Sequence, residues 1–166
     1  MHESEAWEKR VAALWADIDD YDEQAFVAAM DALTAELSEG SARRMFERAS
    51  AQDSTGHSDR AVPLYEAALA AGLPTGLRRQ AVIQLSSSLR NMGQAQRAVD
   101  LLTAELECDQ DELTGAVRTF LALALVDVGR EREAVASALT ALAEYLPRYN
   151  RSVARYAHAL TESPPV

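Results

Sequence analysis

Residues 86–106 read SSSLRNMGQAQRAVDLLTAEL, and two other stretches follow the same plan. RASAQDSTGHSDRAVPLYEAAL occupies 48–69, and ALALVDVGREREAVASALTAL occupies 122–142. Aligned, they put Gly56, Gly93 and Gly129 in register, at steps of 37 and 36 residues. Five positions after each glycine stands an alanine, Ala61, Ala98 or Ala134, followed each time by valine: Val62, Val99 and Val135. A glycine tolerates the left-handed conformation that ends a helix, so each one closes a helical stretch. Each Ala-Val pair then falls early in the next helix. The repeating unit is an antiparallel helix pair, and a period of this length is the signature of a stacked array.

Within the units the apolar residues recur at helical spacing: Val82, Leu85 and Leu89 in the second, and Val117, Leu121 and Leu125 in the third. Pro63 is expected near a helix start with Asp59 as N-cap, where a missing N–H costs little. AGLPTG, ECDQD and YLPRYN are the stop and cap signals between units. Ahead of the repeats, Trp7, Val11, Leu14, Trp15 and Ile18 form one apolar stripe and Phe26, Met30, Leu33 and Leu37 another. They read as a helical hairpin over 1–40. Behind the repeats, Tyr149, Val153, Tyr156 and Leu160 define a last helix that stops before the SPP stretch. Residues 148–166 are expected to cap the array, since a terminal unit has no neighbour to cover its apolar side.

Composition narrows the function. Acidic residues outnumber basic ones 26 to 16, for a formal charge of −10. No positive field gathers phosphates, which argues against nucleic acid and anionic membranes as partners. No apolar run approaches the ~20 residues of a membrane helix. The opening MHESEAWEKR lacks the basic-then-apolar order of a secretory signal, so the expected location is cytoplasmic. Cys108 is the single cysteine and has no partner for a disulfide or a zinc site. His2, His57 and His158 show no metal-ligand spacing, and His57 between Asp53 and Asp59 reads as a turn histidine. Nucleotide and nucleophile motifs are missing too. The chain is therefore expected to be no enzyme and to need no cofactor or metal.

At this point the residues resemble the tetratricopeptide repeat family, over about 41–146. Its small site in the first helix of each unit falls on Ala49, Ser86 and Ala122, and its turn glycine on Gly56, Gly93 and Gly129. In the second helix the first small site is Ala61, Ala98 and Ala134, the large site Tyr65, Leu102 and Ala138, and the second small site Ala68, Glu105 and Ala141. The chain departs from the pattern where a tryptophan opens the first helix, here Met45, Val82 and Arg118, and in the charge at Glu105. AVPLYEAALAAGL and RRQAVIQLSSSLRNMG look more specifically like a bacterial subfamily of small proteins. The resemblance implies an all-α, right-handed helical-hairpin repeat array, a tetratricopeptide-like superhelix. Its three units would span about 41–74, 75–110 and 111–147, between the N-terminal hairpin and the capping helix.

Such an array implies a scaffold that binds a protein or peptide on its concave face. The candidate groove residues are the polar and apolar side chains of each first helix not needed for packing: Arg43, Glu47, Ser50 and Asp53; Gln84, Ser87, Arg90 and Asn91; Phe120 and Asp127. Amides satisfy a peptide backbone, arginine pairs with carboxylates and phenylalanine adds apolar contact. The second set lies along one helix face, which reads equally as an ordinary solvated face. Phe120, Leu123 and Val126 make an apolar patch whose expected fate is cover by the last helix, because exposed apolar surface is a liability. Trp7 and Trp15 are expected in the core; the other reading is a homodimer that buries them between two copies.

Overall fold

The computed structural model describes residues 5–162, so His2 and the closing SPP stretch lie outside the described residues. Among the described residues there are nine α-helices and no strand. They are α1 (Glu5–Ala16), α2 (Glu23–Thr34), α3 (Ala42–Ser54), α4 (Ser58–Ala71), α5 (Thr75–Asn91), α6 (Ala95–Leu106), α7 (Thr114–Asp127), α8 (Glu131–Ala143) and α9 (Asn150–Thr161).

The three repeat glycines end α3, α5 and α7 in the same way. Gly56, Gly93 and Gly129 have φ of 82°, 73° and 75°. Each donates its N–H three residues back, to the carbonyls of Asp53, Arg90 and Val126 at 2.9–3.0 Å. The residue after each reaches five back: His57 to Gln52, Gln94 to Leu89 and Arg130 to Leu125, at 2.8–2.9 Å. This paired pattern satisfies the carbonyls that a helix end leaves open, and only glycine enters it without strain. The alanines five positions on, Ala61, Ala98 and Ala134, are all buried. Helix-hairpin repetition is thus present in the backbone as well as in the sequence. Pro63 lies two residues further into α4 than expected. His57 is the N-cap, Asp59 belongs to the first turn, and α4 runs on unbroken to Ala71.

By its internal contacts the chain divides into two compact units, Met1–Ala81 and Val82–Val166, a different partition from the hairpin, array and cap expected at 1–40, 41–147 and 148–166. Helices in a hairpin array touch mainly their neighbours, so compactness need not follow repeat boundaries. In the first unit α1 packs on α2, α2 on α3 and α3 on α4. Its core joins Phe26, Met30 and Ala51, with Leu14, Trp15, Ile18 and Val27 packed against them. Trp15 meets Phe26 edge-on at 5.1 Å. Trp7 is buried, and its indole N–H donates to the Leu33 carbonyl at 3.1 Å. Tyr65, at the large site, is fully buried beneath Phe46, and desolvation pushes its phenol pKa well up.

In the second unit α6 packs on α7, α7 on α8 and α8 on α9. Along α6, Ala98, Leu102 and Glu105 are buried at the four- and three-residue steps of one helix face. The charge at Glu105 therefore leaves the helix register intact. Ala138, at the large site of α8, is exposed instead of buried. α9 packs against α8 and buries Ala157.

Candidate functional site

In the first unit the candidate residues of α3 are occupied by the chain itself. Glu47 is buried, with one carboxylate oxygen accepting the Trp15 indole N–H at 2.8 Å and the other 2.9 Å from Arg43 Nη2. Arg43 also pairs with Glu8 at 2.9 Å, and its guanidinium lies 5.6 Å from the centre of the Trp7 ring. Ser50 is buried, its Oγ 3.3 Å from the Tyr65 hydroxyl that donates to it. Arg43, Glu47 and Ser50 are therefore placed in packing rather than on an open groove. The cause lies in α1, whose Glu8 and Trp15 reach α3 across more than 30 residues of sequence. Asp53 stands half-buried near the end of α3.

The second unit holds the remaining candidates. Gln84, Ser87 and Arg90 are half-buried on α5, and Asn91 is exposed at its end. Arg90 Nε donates to Asp127 Oδ2 at 2.6 Å, which joins the last turn of α5 to the last turn of α7. Two residues singled out from separate repeats thus meet directly. Beside Asp127, the outer face of α7 carries Phe120, half-buried, with Leu123 and Val126 at 44% and 53% exposure. The expected cover by the last helix is not found for Leu123 and Val126. α9 packs on α8 and leaves these two side chains in solvent. The unit therefore presents a polar α5 edge, a bridging ion pair and an apolar α7 stripe together.

Among the described residues no group of three or more His, Cys, Asp or Glu could hold a metal ion. Among them, too, no helix is long and apolar enough to cross a membrane. Cys108 is exposed, and His57 caps α4 without a side-chain bond. Arg118 of α7 lines a cavity between helices and is not part of the α5–α7 face. The available signal was its repeat position, shared with Met45 and Val82, where an arginine is out of character.

Comparison with curated proteins and with solved structures finds no match. The model of the Tetratrico peptide repeat family matches residues 41–160, which takes in all three glycine-closed hairpins and most of the last helix. Proteins of this family generally mediate protein–protein interaction and are typically non-catalytic scaffolds. With nearly three quarters of its length matched and its hairpins closed by one recurring turn, the chain belongs to the tetratricopeptide repeat family.

Proposed function

We propose that the chain is a binding scaffold for a protein or peptide, and that the partner segment lies on the face shared by α5 and α7 in the second unit. The observation that carries this reading is the Arg90–Asp127 pair beside exposed Leu123 and Val126. Apolar anchors rimmed by polar groups are the usual make-up of a recognition patch. Gln84, Ser87 and Asn91 supply amide and hydroxyl groups for the partner backbone, while Phe120, Leu123 and Val126 take its apolar side chains. The reading includes no catalysis and no cofactor. A net charge of −10 supports a polypeptide partner over nucleic acid or an anionic membrane. A cytoplasmic location belongs to the same proposal.

The alternative, a homodimer built on the tryptophan hairpin, loses its motive, because Trp7 is buried and both indole N–H groups are bonded within the chain. The test is affinity capture from native cell extract with the unmodified chain and with the Arg90→Ala/Asn91→Ala double variant. The variant is expected to lose the captured partner while its Tm stays within a few degrees. Full capture by the variant would remove the α5–α7 face from the proposal. Light scattering that gives a monomer mass at all concentrations would remove the homodimer.

A further inference from the structure

Within the second unit, α6, α7, α8 and α9 surround a cavity of about 480 Å³, a size that suits small organic ligands. Much of its wall is aliphatic: Leu106 of α6, Leu121 and Leu125 of α7, and Ala157 of α9. Arg118 interrupts that wall. Its Nε is buried and finds no hydrogen-bond acceptor, and its guanidinium makes no ion pair among the described residues. The side chain as a whole is half-buried, and it is this one N–H that forfeits its hydration with nothing in return. The other arginine of the lining, Arg130, is already committed. Its Nε and Nη2 hold the two oxygens of Glu133 at 2.7 and 2.6 Å.

The internal repeat sharpens the point. Met45 and Val82 occupy the matching position in the other two hairpins, and Val82 is buried. An aliphatic side chain there fills space and needs no partner. An arginine in its place is a loss to the fold unless something completes its hydrogen bonding, and stability is commonly given up in this way at binding sites.

We propose that this cavity binds a ligand carrying a carboxylate on an apolar body, with the carboxylate against Arg118. The planar guanidinium fork matches a carboxylate at two points. A phosphate dianion calls for more positive charge than one uncommitted arginine supplies. The aliphatic wall accepts the ligand's hydrocarbon portion. A free organic acid and the C-terminus of a peptide present the same chemistry. The site is separate from the α5–α7 face and does not rest on the function proposed for it.

The test is a methyl and amide NMR titration of the full chain with octanoate, with octanol and octylamine as matched controls. Octanoate is expected to shift Leu121 and Leu125 saturably and to bind about tenfold or more tightly than either control. Equal binding of octanoate and octanol would show an apolar hole only and overturn the proposal. Acetyl-Ala-Leu-Leu with a free and an amidated terminus forms the second arm. Tighter binding of the free-terminus peptide than of octanoate assigns a chain terminus, and the reverse assigns a small acid. No saturable shift with either acid overturns the proposal. Arg118→Met should abolish the preference for the acid while leaving Tm unchanged or raised. A Tm lowered by several degrees would mark the arginine as structural and contradict the assignment. The comparison of octanoate with octanol decides even if that variant fails to fold.

Discussion

Arg90 Nε lies 2.6 Å from Asp127 Oδ2, so two residues 37 positions apart in sequence close the ends of α5 and α7 together. Their side chains are 20% and 37% exposed, so the pair is half-buried and partly within reach of solvent. Such pairs add at most about 1 kcal/mol to stability. A contact this cheap to open is suited to exchange with the charges of a partner. A double-mutant cycle of Arg90→Ala and Asp127→Ala, read by urea unfolding, should give a coupling below about 1 kcal/mol. A much larger value would make the pair a clamp of the fold.

Glu47 behaves oppositely. Its buried carboxylate accepts from the Trp15 indole and pairs with Arg43, which itself pairs with Glu8. Glu47→Ala leaves the Trp15 indole N–H without its acceptor and takes one of two carboxylates from Arg43, which keeps Glu8, and should cost about 2 kcal/mol in urea unfolding. The emission of Trp15 should shift as its N–H loses its acceptor. Partner capture through the α5–α7 face should survive at temperatures where the variant stays folded.

Backbone strain gives a contrasting pair of variants. Gly93 holds φ 73° at the end of α5, and Tyr149 holds φ 67° at the start of α9 with its side chain 75% exposed. Gly93→Ala should lower stability by about 1 kcal/mol, since alanine resists the left-handed region. Tyr149→Asn should raise it by about 0.5 kcal/mol, because asparagine accepts that region and little burial is lost. Thermal unfolding of both variants checks the two signs.

Arg130 holds the Glu133 carboxyl below its ordinary pKa through their hydrogen bonds, and Arg10 does the same for Glu36. A depressed carboxylate pKa contributes stability that is present above the unfolded value, about 4.5. That contribution disappears as pH falls through the lower folded value. Both pairs are solvent-exposed, so the effect on unfolding should be slight. Carboxyl carbon NMR should show each group titrating early in acid direction only after its partner is removed: Arg130→Gln and Arg10→Gln should return Glu133 and Glu36 to the ordinary range. Unchanged titration would mean that these pairs do not persist in solution.

The hairpins were legible because their signals are local. A left-handed turn demands glycine at Gly56, Gly93 and Gly129, and helix contact demands a small residue at Ala61, Ala98 and Ala134. The fate of α3 was not legible. Whether Arg43 and Glu47 face solvent depends on Glu8 and Trp15, more than 30 residues away, and no periodic pattern carries that information. The path of α9 was equally hidden: of its expected stripe Tyr149 and Tyr156 are exposed, the buried residue is Ala157, and α9 packs on α8 while Leu123 and Val126 stay exposed. Arg118 did leave a trace, as the one charged residue at a repeat position otherwise held by Met45 and Val82.

Site-specific photo-crosslinking tests the central claim most directly. A photoreactive phenylalanine analogue at Leu123 or Val126 would sample the α7 stripe, and the same analogue at Val135 would serve as control. The three positions are comparably exposed, at 44%, 53% and 49%. In native cell extract, positions 123 and 126 should yield a discrete crosslinked polypeptide and position 135 should not. Crosslinking that is absent at 123 and 126, or equal at all three positions, would contradict a recognition face on α5 and α7.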